Sequence, residues 1–398
     1  MVAALFAFAI LQKSQAQSLT AKAGALARGT NQEVSISFSA PVDDASATDP
    51  AHYSIPPGTI EDIRLVPLAN AAILTVSGLI TSNSYTVTVS NVTAIDANTA
   101  PITQTNLTFN TRDMTWAGIG LNETGIPQDV VAIGTNAFTL VSGALTFFSS
   151  QDGFSYEEAT FAYETISGDF DRAVQVEYQD VGSQWSRAGV MVREGVDEDK
   201  ERQTDPGDPT QAFSRYQAVQ VNPAVQFDGT PANNLYEINR RLTSGGATDE
   251  PEITNNVAPA YPNAWVRLAR SGSTFRMYRS DTGTNWTKLG ETTFDPPFAT
   301  NAYVGVHFSP ELANIPQGDP SYIQKLARFS NYGDPHAPID ITPTVKIEVT
   351  QTGIQITFTG SLQSAPTVLG PWNKVVTGSP YQVPNSSTGV QFFRTKAE

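Results

Sequence analysis

Hydrolysis of a glycosidic bond needs only two suitably spaced carboxyl groups, and the residues best able to supply them are Glu157 and Glu158, with Glu164 and Glu177 close in sequence. Adjacent residues on a strand point to opposite faces, so Glu157 and Glu158 would not share one cleft wall. Other nucleophilic chemistry is thinner. The histidines His52, His307 and His336 lie far apart, and no G-x-S-x-G elbow presents a serine to any of them. H-E-x-x-H and Gly-rich phosphate loops are absent. Without cysteine, thiolate zinc sites, disulfides and thiol nucleophiles are excluded. The expectation is a chain that is not an enzyme.

Binding chemistry has more material. An acidic run from Glu194 to Glu201 leads into Asp205 and Asp208, so Asp197, Asp199, Asp205 and Asp208 are candidate oxygen ligands for Ca²⁺, with no other cofactor implied. Lys200 and Arg202 partly neutralise that run, and no EF-hand spacing occurs, so a solvated acidic loop is the competing reading. Tyr236 and Tyr261 fall in a long segment, 228–262, where aromatic rings could form a platform for carbohydrate. Trp185 and Trp265 begin apolar strands, which favours core or rim packing for them. Arg187, Arg193, Arg267, Arg270, Arg276 and Arg279 recur along three strand-like segments and predict a solvated ladder of ion pairs on a sheet face. Asp281-x-Gly283-x-x-Trp286 resembles the Asp box of sialidases, a hairpin turn there too, so the likeness implies structure.

The elements that must hold these residues are strands. In 398 residues, 29 Gly and 26 Pro supply turns, 40 % apolar residues can fill cores, and no long helical periodicity appears. The net charge of −15 argues against nucleic acid. It is also uneven: residues 113–334 carry 29 acids against 15 bases, whereas the flanking segments are near neutral. No apolar run is long enough to span a bilayer.

Period-two alternation over residues 33–38, 72–76 and 85–89, with turns at 55–58 and 81–83, predicts a sandwich over residues 18–112. This segment resembles the Ig-like repeats of bacterial surface proteins, which implies a spacer or stalk. Residues 113–334 offer a jelly-roll count of strands, among them 138–140, 161–163, 173–178, 188–193, 265–270, 274–278 and 302–308. Here Ser167-Gly168-Asp169-Phe170-Asp171, the run Trp185 to Glu194, Trp265 to Arg270, the hairpin 280–286 and residues 327–331 resemble, in order, the bacterial secreted concanavalin-like (laminin-G-like) sandwich family. The resemblance implies an add-on module without catalysis of its own. The long segments 195–213 and 228–262 depart from that family's compact pattern, so no loop-borne ligand site carries over. A Pro-rich linker, 335–340, leads to residues 341–398, which alternate again and resemble the small C-terminal β-modules of bacterial secreted proteins.

Residues 1–17 admit two readings. The apolar run 2–11, followed by Ser14 and Ala16, fits a secretory signal peptide, although no basic residue precedes it. Phe6, Phe8 and Ile10 also alternate with alanine, as in a donor strand that could complete a neighbouring copy's sandwich. The fold expected is all-β, with an Ig-like sandwich, a concanavalin-like jelly-roll sandwich and a small C-terminal β-domain. The function expected is extracellular, structural or adhesive, through self-assembly into surface filaments; the alternative is a lectin-like module for extracellular polysaccharide, and a glycan-active enzyme ranks third.

Overall fold

The computed structural model describes residues 17–146, 157–198, 200–201, 203, 205, 208–223, 225, 230, 235–336, 345–350, 353–358, 361–367, 371–375, 381–383 and 391–396. Phe6, Phe8 and Ile10, and Asp199, lie outside the described residues. The chain divides into two compact units, Met1–His336 and Ala337–Glu398. The all-β expectation holds: the regular elements are antiparallel strands with a few short helical turns. No helix among the described residues is long and apolar enough to cross a membrane.

The first sandwich has one sheet in the order β1 (Ala21–Arg28), β2 (Asn31–Phe38), β5 (Ala71–Ser77), β4 (Thr59–Val66). Its second sheet runs β3 (Tyr53–Ser54), β6 (Ser84–Val92), β7 (Ile102–Asn110). Alternate side chains meet between the sheets: Val34, Ile36, Leu74 and Val76 from one, Val87, Val89 and Phe109 from the other. Strand β5 breaks the alternation, because Ala71, Ala72, Ile73 and Leu74 are all buried. A strand covered on both faces reads as a continuous apolar run, and the cover here is the second sandwich.

That sandwich pairs a seven-stranded sheet with a six-stranded one. The larger runs β18 (Thr287–Thr293), β17 (Thr274–Ser280), β16 (Ala264–Ser271), β12 (Phe170–Gln179), β20 (Lys325–Gly333), β10 (Ala137–Ser142), β9 (Asp129–Ile133). The smaller runs β15 (Tyr236–Arg241), β14 (Tyr216–Val221), β13 (Arg187–Arg193), β19 (Asn301–Ser309), β11 (Ala159–Ser167), β8 (Met114–Ile119). Val174, Val266, Leu268 and Phe275 of the first face Val190, Val219, Val304 and Phe308 of the second across a dry core. Segment 228–262 is therefore not all loop, since β15 is an edge strand of the six-stranded sheet.

The two sandwiches are joined through packing, not by a hinge. Val66, Ala71 and Ile73 of the first pack against Val131, Val141 and Leu326 of the second. Beside this apolar patch, Arg64 Nη2 reaches Glu33 Oε1 at 3.0 Å and Asp129 Oδ1 at 2.8 Å. Burial, with Glu33 close by on the same guanidinium, holds the Asp129 carboxyl above its usual range despite Arg64. Trp116 donates its indole N–H to Glu33 Oε2 at 2.6 Å, and the Arg28 guanidinium lies 4.7 Å from the centre of its ring. Backbones touch where Gly24 meets Gly134; a Cβ on Gly24 would stand 2.6 Å from the Ala132 carbonyl. Trp116→Phe keeps an aromatic ring, though a smaller one, and strips one donor from a buried carboxylate. It is expected to cost about 2 kcal/mol, read as a lower urea midpoint with an unchanged m-value.

The C-terminal unit is built from two three-stranded sheets. One runs β21 (Val345–Thr350), β22 (Gly353–Phe358), β25 (Tyr381–Gln382); the other runs β24 (Asn373–Lys374), β23 (Ser361–Ala365), β26 (Phe392–Lys396). Ile356, Phe358 and Leu362 form its small core with Tyr381 and Phe393.

Candidate functional site

The six-stranded sheet positions a dense set of buried polar groups. On β13, Val190 and Val192 face the core, so Arg187, Gly189, Met191 and Arg193 face the other way. Their register partners Gln220, Ala218 and Tyr216 on β14, Glu237, Asn239 and Arg241 on β15, and His307 and Ser309 on β19 share that outer face. An outer face of this composition would ordinarily be wet. Here it is roofed by described residues that fold back over it: Arg193 Nε donates to the Gly195 carbonyl at 3.0 Å, Arg241 Nε donates to the Gly246 carbonyl at 2.7 Å, and the Tyr216 hydroxyl meets Thr248 Oγ1 at 3.0 Å.

At one end of this face lies a buried charge knot. Glu157, fully buried, accepts from both Arg193 and Arg241. Arg193 also reaches Asp197 at 2.5 Å, and both guanidinium groups lie 5.3 Å from the Tyr216 ring centre. Burial alone would pull Arg193 down, but Glu157 and Asp197 more than offset it and hold it above its ordinary value. Asp197 is kept below the usual carboxylate range: burial raises it, and Arg193 with the Ser214 amide outweighs burial. At the other end Arg187, 2 % exposed, donates to Glu237 at 2.6 Å and Glu311 at 2.8 Å. Between the ends sits His307, whose imidazole burial and the flanking arginines Arg187 and Arg193 push down to about 3. It therefore stays neutral at any ordinary pH.

Such an arrangement can hold a covering segment against a sheet. General acid–base work needs a carboxyl group free to exchange a proton, and the four carboxylates singled out from sequence are differently employed. Glu157 is clamped by two arginines. Glu158 accepts from the amides of Glu123 at 2.7 Å and Leu145 at 2.6 Å. Glu164 on β11 binds Arg172 and the Tyr332 hydroxyl. Glu177 stands on β12, in the opposite sheet.

The binding candidates are redistributed too. Asp197 does not present open oxygens to Ca²⁺: Ser214 N and Oγ reach them at 2.8 and 2.9 Å, alongside Arg193. Asp208 turns back to Thr210 at 2.8 and 2.7 Å, and Asp205 lies exposed; among the described residues no three acidic or histidine side chains converge as metal ligands. Tyr236 is not a sugar platform. It opens strand β15, is 1 % exposed, and packs inside the main core. Tyr261 is turned inward as well, its hydroxyl accepting from Gln179 at 2.6 Å and donating to the Asn222 carbonyl at 2.9 Å. Both rings were drawn in because the segments bearing them complete the sandwich.

The arginine ladder divides between the two sheets, and its strongest members are buried rather than solvated. Arg267 pairs with Asp171 on the neighbouring strand and Arg276 with Glu291, as a cross-strand ladder should. Arg270 instead donates to the Gly272, Phe298 and Thr300 carbonyls. Residues 280–286 form the turn between β17 and β18, where Ser280 Oγ accepts from the Thr282 and Gly283 amides. Gly283 has φ +73°, and a Cβ there would lie 2.7 Å from the Trp265 ring. Of the two tryptophans read as core or rim, Trp265 is buried and Trp185 stands at the rim, 42 % exposed.

No protein-family model matches this chain, and no curated protein matches it. Among solved structures, it is similar to a functionally unknown protein from Saccharomyces cerevisiae at 17 % identity, over 56 % of this chain and 95 % of that one, with a TM-score of 0.38. It is similar at 15 % identity to the N-terminal part of the bacterial S-layer protein SbsC, over 56 % of this chain but only 44 % of that one, with a TM-score of 0.23. LamAcat from Zobellia galactanivorans gives 8 % identity over 50 % of this chain and 79 % of that one, with a TM-score of 0.28. With TM-scores this low, none of these likenesses bears on function.

Proposed function

We propose that this chain is a non-catalytic extracellular protein, structural or adhesive, whose sandwiches serve as building blocks. The observation that supports this best is the junction between the first two sandwiches. A dry apolar patch and the Trp116–Glu33–Arg64–Asp129 set join them side by side, which suits a load-bearing spacer better than a mobile tether. The spent carboxylates agree with it, since Glu157, Glu158 and Glu164 already have partners. The Ig-like and concanavalin-like identities of the two sandwiches, and a bacterial cell-surface setting, belong to this reading.

Copies join in a head-to-tail, non-closing manner if residues 2–11 remain attached and Phe6, Phe8 and Ile10 enter a neighbour's sheet. Deleting residues 1–17 is then expected to abolish polymers seen by negative-stain microscopy while leaving folded monomers. Unchanged polymers overturn strand exchange. Reducing-sugar release from a polysaccharide panel, expected to stay at background, overturns the non-catalytic reading if it rises and Glu158→Gln abolishes it.

A further inference from the structure

The chain has five tryptophans, and four of them have a ring partner. Trp116 lies under Arg28, Trp265 and Trp286 meet edge to face with centroids 6.3 Å apart, and Trp372 lies 4.3 Å from the Arg394 guanidinium. Trp185 differs. It is the most exposed of the five, and no aromatic or cationic group covers its ring among the described residues.

The backbone carrying this ring is fixed at nearly every polar atom. Trp185 N donates to Ser183 Oγ at 3.0 Å, and its carbonyl accepts from Arg187 Nη1 at 2.9 Å. Ser186 Oγ accepts from the Gly182 and Ser183 amides and donates to the Pro310 carbonyl at 2.6 Å. Gly182 is pressed so close that a Cβ would lie 1.8 Å from the Pro310 oxygen. Beneath the turn, Arg187 is braced by Glu237 and Glu311. An exposed indole costs free energy in water, and among the described residues no ring or cation covers this one. A rigid mount lowers the ordering cost of binding something to it.

We propose that Trp185 is a stacking platform for a sugar ring of a neutral extracellular polysaccharide. One flat exposed ring beside the part-exposed Gln184 matches the apolar face of a pyranose, whose rim hydroxyls need a polar neighbour. A lone ring is too small for a stable protein interface. The 29 acids against 15 bases of residues 113–334 disfavour a polyanion. The inference rests on the adhesive part of the proposed function and supplies its ligand class.

The test is affinity electrophoresis of the full chain in gels containing laminarin, xylan or galactomannan. Wild type is expected to be retarded in at least one gel, and Trp185→Ala to weaken that interaction by about ten-fold or more. Trp185→Leu, apolar but without a flat ring, should lose as much, whereas Trp185→Tyr should keep part of the retardation. Because the side chain is exposed, the thermal midpoint of all three variants should stay close to wild type. Retardation should persist at high salt. No retardation in any gel, equal retardation of Trp185→Ala, or binding that salt abolishes would each overturn the proposal. None of these outcomes touches polymer formation or sugar release, so the broader reading stands or falls separately.

Discussion

Glu157→Gln is expected to destabilise the Met1–His336 unit by about 3–5 kcal/mol. The carboxylate is the shared partner of Arg193 and Arg241, both almost wholly buried, and a neutral amide would leave Arg241 without its carboxylate and Arg193 with Asp197 alone, away from water. Urea denaturation followed by far-UV circular dichroism gives the size of the loss. The companion experiment replaces all four charges at once, with Glu157→Leu, Arg193→Met, Arg241→Met and Asp197→Asn in one chain. Removing a whole buried ionic set is often neutral or stabilising, so the quadruple variant should recover much of what the single one loses. A Glu157→Gln protein as stable as wild type would mean that the knot does not hold the roof to the sheet.

The second large effect is a dependence on pH. His307 titrates at about 3 in the folded chain against an ordinary value of 6.5, because burial and the flanking arginines disfavour its charge. Between those values the unfolded chain binds a proton that the folded chain refuses. Stability is therefore fully present above pH 6.5 and falls as pH drops towards 3, at up to about 1.4 kcal/mol per pH unit. The accumulated loss at about pH 3.5 is roughly 4 kcal/mol. His307→Gln, which cannot charge, should flatten this limb of the stability–pH curve. An acid limb of equal slope in the variant would assign it to carboxylates instead.

Much of the fold was legible from alternation. Residues 33–38, 85–89, 188–193 and 302–308 lie within strands of the structure, because one face of each meets the core between its two sheets. Strand β15 escaped notice, since Tyr-Glu-Ile-Asn-Arg-Arg puts Glu237, Asn239 and Arg241 on a face that sequence reads as solvent. Even so, the three are buried. For Trp185 the choice stayed open: an aromatic residue beside an apolar strand reads as core or rim, and the turn built by Gly182 and Ser186 decides for the rim.

By itself, then, the amino-acid sequence determined the antiparallel all-β character and the absence of thiol chemistry, because strand periodicity and residue inventory are local properties. Tertiary structure alone decided which polar faces are dry. A period-two pattern states that a strand has two faces but not what covers each of them. Covering is the work of segments distant in the chain, as when Glu157 reaches Arg193 and Arg241 or when the second sandwich hides Ile73. For the same reason Glu157 became an anchor and Trp185 a free surface, since the energy of a charge or a ring depends on its neighbours in space.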